Sequence, residues 1–458
     1  MRAVAARIYK TLFTDTLHRR LVGGALWNLL RTVFVQASSF VSVIIFARVL
    51  GPEGFGKLNM VRAAVLVLVA VAGSGLGAAA TKYVAEYRLA DPLRAGKSVG
   101  MLYLIASAVG ILVAITCVIF SESLAGLVVG SKNLSLELVI GGLSVFFLAI
   151  GSVQIGAIAG LEQFRCVAFL VLIEATLNLI FASSGAILWG VPGVLAGVTL
   201  AVVVMSPIKH KILRRELKKY GIEIVYQEAW KVGGTWKFIL PATLVSMTAQ
   251  PVEWFLKLRL AGVVNGYEEL AIFAVASSLA LIVQILPSQL ATSARSILPN
   301  LYASKDFVMI RKLLITNSIY SGGMGVMVAI PLALFATFLL GLYGPNFNKG
   351  VEALYLLLFS YSTVVIGMTF TELLTACGYM WLQYLHRIVW AVVSVVSGIY
   401  LFSPTAVGLA SAYVLGNFIY SVIQAFTVVW LLNKMKNEFV ESFQIKDDCV
   451  SCGVNEIN

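Results

Sequence analysis

The chain has 458 residues, of which 59% are hydrophobic and 12% are charged, with a mean hydropathy of +0.91 and a formal net charge of +12. Soluble domains carry about 25% charged residues, so this composition excludes a water-soluble fold. The apolar runs are continuous over about 20 residues, which predicts an all-α polytopic membrane protein rather than a barrel of short alternating strands.

Residues 1–22 form the first predicted segment, a cytoplasmic amphipathic stretch. It is rich in Arg and Lys and lacks the apolar core of a signal peptide, so we expect no cleaved leader. Ile8, Leu12 and Leu17 fall on one side of a helix. That pattern predicts a helix lying on the cytoplasmic surface of the membrane.

Twelve apolar runs follow, each near the ~20 residues that cross a ~30 Å hydrocarbon core. They are 24–47, 58–80, 98–120, 137–159, 166–188, 191–208, 236–257, 270–293, 315–340, 352–376, 382–402 and 406–432. Most of the 34 Lys and Arg residues fall in alternate connections. By the positive-inside rule, this bias predicts a multi-pass protein of the cytoplasmic (inner) membrane with both termini in the cytoplasm.

The longest basic loop divides the chain into two halves of six spans. Arg48-Val-Leu-Gly51 in the first half resembles Arg259-Leu-Ala-Gly262 in the second, and such short matches recur at a nearly constant offset. This spacing indicates a parallel repeat. After residues 1–22, the predicted parts are an N-terminal six-helix bundle at 23–208, a basic cytoplasmic linker at 209–235, a C-terminal six-helix bundle at 236–432 and a cytoplasmic tail at 433–458.

Enzyme motifs are missing from the sequence. It contains no P-loop, no G-x-S-x-G and no H-E-x-x-H, and its three histidines belong to no catalytic motif. Cys449 and Cys452 form one C-x-x-C without the further ligands of a zinc site. We therefore expect no enzyme activity, no cofactor and no metal. The basic residues set topology in loops, so we expect no nucleic-acid partner.

Four basic residues lie inside or at the edge of predicted spans: Arg31, Arg62, Lys257 and Arg259. A charge at the bilayer centre costs about 2.5–3.5 kcal/mol, so such a residue faces a watery cavity or a partner. Their depths predict that they line a cleft between the two halves. For Arg62, Lys257 and Arg259 the alternative is that the side chain extends to the outer lipid headgroups.

Three acidic residues lie in spans and are candidates for ion pairing or ion coupling: Glu174, Glu253 and Glu372. Arg31 and Glu174 each lie about eight residues, or roughly 12 Å, from the cytoplasmic side, which makes them candidate partners. A structural ion pair would account for Glu174 as well as transport would. For Glu372 we favour a structural interface role.

Glutamine and proline interrupt two spans of the second half. Gln250 and Pro251 lie in span seven, and Gln284 and Pro287 lie in span eight. Proline frees a carbonyl in the preceding turn, which bends a helix or exposes a polar group to cargo. The pattern indicates broken helices around a polar cavity, with an ordinary packing kink as the alternative.

The stretch Ala47-Arg-Val-Leu-Gly-Pro-Glu-Gly-Phe-Gly-Lys57 resembles the A-R-x-L-G-P-x-x-F-G signature of polysaccharide-biosynthesis flippases. These are O-antigen-type exporters of the multidrug/oligosaccharidyl-lipid/polysaccharide (MOP) superfamily. We expect a tight outer turn here, with no side chain needed for chemistry. The residues of this turn motif are Arg48, Gly51, Pro52, Gly54 and Gly56.

The resemblance implies a MATE-like, V-shaped pair of six-helix bundles around a central cavity. It implies transfer of a polyprenyl-diphosphate-linked oligosaccharide to the outer leaflet for surface polysaccharide synthesis, by alternating access. A cationic cavity suits a diphosphate. The implied partners are this lipid-linked oligosaccharide, membrane lipids and a glycan polymerase or glycosyltransferases. Two alternatives stay open, an ion-coupled multidrug or cation antiporter of the same superfamily and a membrane glycan ligase or polymerase.

Overall fold

The computed structural model describes residues 15–227, 236–304 and 306–454, and these residues form helices without strands. Short segments of α, 3-10 or π helix lie at Ser121–Leu124, Ala125–Val129, Lys132–Leu134, Leu281–Gln284, Ala336–Gly341, Pro345–Gly350 and Ser397–Leu401. The long helices are α1 (Asp15–Tyr87), α2 (Pro92–Ile119), α3 (Ser135–Gly160), α4 (Phe164–Lys218), α5 (Trp236–Ala261), α6 (Gly266–Ala280), α7 (Ile285–Ala303), α8 (Phe307–Leu334), α9 (Val351–Ala376), α10 (Met380–Val396) and α11 (Ala406–Val454).

Two of these helices are much longer than one membrane crossing. The apolar part of α1 spans 58 residues and α4 spans 55, against about 20 for a single pass. Gly51 interrupts α1 at φ 68° and ψ 176°, and Gly190 interrupts α4 at φ 67° and ψ −136°. A positive φ favours glycine, so each glycine permits a sharp break between two helical segments.

The described residues contain nine apolar helical stretches long enough to span a membrane. Since α1 and α4 each hold two predicted spans, these nine stretches cover eleven of the twelve predicted spans. The remaining span is α5, a helix of 26 residues. The prediction of an all-α polytopic membrane protein is confirmed. Ile8 and Leu12, on which the surface-helix prediction rests, lie outside the described residues.

Packing divides the chain into two compact units. Unit 1 is Met1–Ala274 with Leu342–Phe347, and unit 2 is Val275–Gly341 with Asn348–Asn458. In unit 1, α5 packs along α1. The packing boundary therefore falls inside α6, whereas the sequence places the division at the linker 209–235. The six-plus-six organisation stays a prediction.

Small residues bring the helices of unit 1 together. Thr81 donates its hydroxyl to the Gly77 carbonyl at 3.0 Å and is also 3.0 Å from the Gly156 carbonyl on α3. A Cβ at Gly156 would collide with the Gly77 carbonyl. Close backbone approach through glycine is the usual way in which membrane helices gain packing contacts, because lipid removes the hydrophobic drive between them.

One buried cluster of unit 2 is instead built mainly from aliphatic side chains of α7, α8, α9 and α11. Its buried members are Ala294, Leu298, Ile310, Leu314, Leu373, Leu374, Val428 and Leu431. Many other large apolar side chains remain exposed, including Leu188, Met327 and Phe426. Exposed apolar surface of this extent suits contact with lipid tails.

Candidate functional site

The first candidate acidic residue, Glu174, forms an ion pair with Lys209 inside unit 1. The Lys209 ammonium lies 2.8 Å from both carboxylate oxygens of Glu174. The Lys209 side chain is only 4% exposed and that of Glu174 is 23% exposed. The predicted pairing of Glu174 with Arg31 is therefore wrong. Its partner, Lys209, belongs to the segment 209–235 that is predicted from sequence as the cytoplasmic linker.

The reason for that error is the length of α4, which continues as helix to Lys218 rather than ending near residue 208. Four residues beyond the predicted end are buried, and they recur at helical spacing: Lys209, Leu213, Glu216 and Leu217. Such a period is the signature of a helix with one buried face. This periodicity was the signal that could have located Lys209.

Other contacts tie the segment of α4 that carries Lys209 to its neighbouring helices. A Cβ at Gly151 on α3 would lie 3.3 Å from Nζ of Lys209, so the ammonium packs against this helix. One turn further along α3, Gln154 donates through Nε2 to the Ser206 carbonyl at 3.2 Å. The Gln154 side-chain oxygen is buried without a hydrogen-bond partner. Next to Lys209, His210 shares a hydrogen bond of 3.1 Å with the Tyr103 hydroxyl.

The second candidate acidic residue, Glu253, contacts a candidate basic residue on the same helix. Its carboxylate lies 3.5 Å from Nζ of Lys257, one helical turn away on α5. Both side chains are partly exposed, at 35% and 19%. Arg259, two residues further, is half-buried and also engages a neighbouring group. Two candidate cavity cations are thus already engaged within the protein.

The third candidate acidic residue, Glu372 on α9, is held by Arg295 of α7 in unit 2. Nε of Arg295 donates to one carboxylate oxygen and Nη2 to the other, both at 2.7 Å. The carboxylate side chain is 10% exposed, whereas that of Arg295 is 66% exposed. Arg295 was missed because it lies just beyond the predicted end of span eight. A carboxylate inside a span implies a basic partner, so the position of Glu372 was a reason to look for a nearby Arg or Lys.

The remaining candidate basic residues, Arg31 and Arg62, both belong to α1. Arg31 is half-buried and Arg62 is exposed. Among the described residues, no hydrogen bond or ion pair joins either guanidinium to a protein group. Within the part of the chain that the structure describes, these two arginines therefore keep their donors available to a ligand.

The helix interruptions differ between the two spans that carry glutamine and proline. A turn of 3-10 helix at Leu281–Gln284 separates α6 from α7, and Pro287 follows in the first turn of α7. Gln250 and Pro251 instead lie within the continuous helix α5. Gln284 and Gln250 are both half-buried. A polar break is thus present in span eight, where 3-10 geometry leaves backbone carbonyls poorly paired.

The turn motif around Gly51 is anchored by side chains as well as by backbone. Nε of Arg48 donates to the Leu342 carbonyl at 2.7 Å. The Phe55 ring contacts that of Phe347 edge to face, with centroids 6.4 Å apart. A Cβ at Gly56 would collide with the Tyr267 carbonyl. The motif therefore anchors two segments that lie more than 200 residues away in sequence.

Gly54 and Pro52 also belong to that turn. A Cβ at Gly54 would lie 3.1 Å from Cβ of Leu50 and 4.0 Å from Val191. Likewise, a Cβ at Gly190 would lie 3.9 Å from Leu50. The breaks at Gly51 and Gly190 are therefore neighbours in unit 1.

A second anchor joins α5 and α6 to the π-helical turn Ala125–Val129. Nε1 of Trp254 donates to the Val128 carbonyl at 2.6 Å, and the Tyr267 hydroxyl donates to the Val129 carbonyl at 3.3 Å. Carbonyls at the end of a helical turn lack intrahelical partners, so they accept such donors readily. These bonds explain why α5 and the start of α6 belong to unit 1.

Metal chemistry finds no support in the described residues, where no group of three or more His, Cys, Asp or Glu side chains converges. Cys117, Cys166 and Cys377 are free cysteines. The side chains of Cys449 and Cys452 lie outside the described ones. The charged side chains of these long apolar helices can pair with one another or bind a charged ligand.

The fold resembles that of solved MATE family transporters. Over 90% of the chain it matches an inward-facing multidrug resistance MATE family transporter, with TM-score 0.76, 16% identity and 99% of that chain covered. An outward-facing conformation of such a transporter gives TM-score 0.67 and 16% identity, covering 90% of this chain and 96% of that one.

A third similar structure is a MOP superfamily transporter from Pyrococcus furiosus, described by a reverse polarity of its binding pocket that suggests a different function. Its TM-score is 0.68 at 17% identity, over 90% of this chain and 96% of that one. Residues 21–301, more than half of the chain, match the model for polysaccharide biosynthesis proteins. The chain belongs to this polysaccharide biosynthesis protein family, which confirms the resemblance. No curated protein sequence matches it.

Proposed function

We propose that this chain is a flippase that moves a polyprenyl-diphosphate-linked oligosaccharide from the inner to the outer leaflet by alternating access. The observation that carries the proposal is that the acidic residues of the predicted spans are paired within the protein, whereas two of the basic residues are not. Glu174, Glu253 and Glu372 each contact a Lys or Arg of the protein. Arg31 and Arg62 have no such carboxylate among the described residues.

Electrostatics favours an anionic cargo for these two arginines. A charge inside the hydrocarbon costs about 2.5–3.5 kcal/mol, so two uncompensated guanidinium groups are costly without a ligand. A diphosphate diester supplies two negative charges and acceptor oxygens that match the fork of a guanidinium. Arg31 precedes the break at Gly51 and Arg62 follows it. Two segments of α1 would therefore each contribute one cation.

The two alternative functions fit this charge balance less well. A cationic drug needs a carboxylate that is free to pair with it, but the three candidates already contact Lys209, Lys257 and Arg295. A ligase or polymerase needs a reacting group, and the sequence offers no catalytic motif. We therefore propose transport without enzyme activity.

The setting follows from the loop charges and from the family. Lys and Arg cluster in alternate connections, which supports a cytoplasmic membrane location with both termini inside. The cargo would be made by glycosyltransferases on the cytoplasmic face and consumed by a glycan polymerase or ligase outside. Arg31, Arg62, Lys257 and Arg259 are the proposed cavity cations, with the last two also engaged with protein groups.

The test is export in cells whose own polysaccharide flippase has been deleted. Arg31→Ala, Arg62→Ala and the double variant are expressed at levels matched by immunoblot, and surface glycan is measured. We expect each single change to reduce export by about tenfold, equivalent to roughly 1.4 kcal/mol of lost binding. Arg31→Lys should keep part of the activity, because the charge remains but the fork is lost.

The matched control is Arg311→Ala, which removes an exposed arginine from the start of α8. It should export normally. Full export by the Arg31→Ala, Arg62→Ala double variant at normal protein level would contradict the proposal.

A further inference from the structure

The two segments of α4 form an antiparallel hairpin that is closed at Gly190. Near the closure, a Cβ at Gly185 would collide with the Gly193 carbonyl. Nearer to the open end, Nζ of Lys209 on the second segment lies 2.8 Å from the Glu174 carboxylate on the first. These contacts fix which residues of the two segments lie at the same depth.

The open end of this hairpin carries a row of exposed cations on its second segment. The row, here called the basic stripe, consists of Lys211, Arg214, Arg215 and Lys218. Spacings of three and four residues place these side chains on one face of the helix. The opposite face is buried at Leu213 and Leu217. Glu216, the one carboxylate in residues 209–219, is buried and accepts hydrogen bonds from Lys219 at 2.7 Å, so it already balances another cation.

The basic stripe lies level with the first turns of α4. Cys166 is within electrostatic reach of Arg215 and Lys219, so the end of the second segment lies beside the beginning of the first. Two phenylalanines at this end, Phe164 and Phe169, are 50% and 60% exposed. Large apolar side chains exposed on a membrane helix suit contact with lipid. The stripe therefore lies at the edge of the hydrocarbon, at the depth of the lipid headgroups.

We propose that the basic stripe is a binding surface for the headgroups of anionic phospholipids in the adjacent leaflet. The loop charges predict that this is the cytoplasmic leaflet. Each Lys or Arg near an anionic membrane surface strengthens binding by about fivefold, and the guanidinium fork matches phosphate oxygens. The stripe is separate from the proposed cavity cations on α1 and α5, so this inference holds whatever the cargo is.

Bound headgroups have a consequence for the stability of unit 1. The four cations of the stripe lie within about two turns of one helix, where like charges repel one another. Anionic headgroups reduce that repulsion in the folded protein. A ligand that binds only the folded state raises the temperature of unfolding, which makes the proposal measurable.

Thermal unfolding of the full-length protein tests the proposal in mixed micelles of a neutral detergent with phosphatidylglycerol. Zwitterionic phosphatidylcholine is the reference lipid. We expect the wild type to unfold about 2–4 °C higher with phosphatidylglycerol at about 0.1 M salt. At about 1 M salt the Debye length falls from roughly 10 Å to roughly 3 Å, so this difference should shrink by more than half. The variant Lys211→Gln, Arg214→Gln, Arg215→Gln, Lys218→Gln should lose most of the difference.

The matched control removes four exposed cations from other segments and changes the net charge equally. It is Lys132→Gln, Arg311→Gln, Lys312→Gln, Lys349→Gln. This variant should keep most of the difference between the two lipids. The double exchange Arg214→Lys, Arg215→Lys should also keep most of it, because attraction to the membrane surface depends mainly on charge.

The proposal is overturned by a wild type that unfolds at the same temperature with both lipids, or by a stripe variant that responds as the wild type does. It is also overturned by a control variant that loses as much of the response. Equal stabilisation of the wild type by inorganic pyrophosphate without phosphatidylglycerol would indicate a small-anion site instead. If the stripe variant does not fold, Arg214→Gln, Arg215→Gln replaces it under the same criteria. No lipid-linked saccharide enters the assay, so a failed export experiment leaves this result unaffected.

Discussion

Arg295 holds Glu372 by two parallel hydrogen bonds of 2.7 Å, from Nε to one carboxylate oxygen and from Nη2 to the other. The two residues are 77 positions apart and lie on α7 and α9 of unit 2. The carboxylate is nearly buried, whereas the guanidinium is largely exposed. The pair therefore holds Arg295 in one orientation, with much of its guanidinium accessible at the surface of unit 2.

The unequal burial of that pair predicts unequal mutational effects. Arg295→Ala leaves Glu372 buried without a partner and should destabilise unit 2 by about 2–3 kcal/mol. Glu372→Gln leaves a guanidinium that water can solvate and should cost roughly 1 kcal/mol. Unfolding in detergent measures both. The control is Lys257→Ala, which removes a longer contact of 3.5 Å to a more exposed carboxylate, worth less than about 0.5 kcal/mol. Equal losses for Arg295→Ala and Lys257→Ala would contradict this ranking.

The close approach at Gly56 predicts a packing defect. Gly56→Ala places a methyl group against the Tyr267 carbonyl and should destabilise the protein by about 1–3 kcal/mol through overpacking. Gly323→Ala is the matched control, because a Cβ there meets no atom within 4 Å in the middle of α8. It should be neutral or slightly stabilising. The comparison uses melting temperatures, and a neutral Gly56→Ala would show that the segment at Tyr267 moves freely.

The anchor on the π-helical turn predicts a graded loss of hydrogen bonds. Trp254→Phe removes the donor that lies 2.6 Å from the Val128 carbonyl, and Tyr267→Phe removes one at 3.3 Å from the Val129 carbonyl. The shorter bond should contribute more, so Trp254→Phe should cost about 1 kcal/mol and Tyr267→Phe less. Melting temperatures in detergent provide the measurement. A larger loss of stability from Tyr267→Phe than from Trp254→Phe would contradict this ranking of the two hydrogen bonds.

The predicted topology can be tested by cysteine labelling of intact cells. In a cysteine-free background, Asn133→Cys should react with a membrane-impermeant maleimide, because the connection after α2 is predicted to lie outside. Leu89→Cys should react only after the membrane is permeabilised. Both positions are exposed in the structure, so accessibility within the protein is matched. The opposite pattern of labelling would invert the topology.

The positions of the membrane helices were predictable because each span is a local property of the chain. Lipid forces every backbone group in a span to bond within its own helix. A run of about 20 apolar residues is therefore nearly sufficient to identify a membrane-spanning helix. The ends of helices were less predictable. The second segment of α4 continues to Lys218 because packing within unit 1 buries one face beyond the membrane-length run. That extension turned a presumed loop residue, Lys209, into a buried one.

The turn motif shows the same contrast. Its glycines predicted a tight turn, and the positive φ of Gly51 agrees with that expectation. The sequence offered no sign that Arg48 would bind the Leu342 carbonyl or that Gly56 would face Tyr267. Those contacts join residues that are far apart in the chain.

The sequence by itself determined that this protein is helical, crosses the membrane many times and keeps Glu174 and Glu372 at a depth where a carboxylate needs a partner. These are properties of composition and local spacing. Only the tertiary structure decided that the partners are Lys209 and Arg295, and that Arg31 has no carboxylate partner among the described residues. The depth of a residue follows from its position along one helix. Its partner depends on how two helices are rotated and packed against each other.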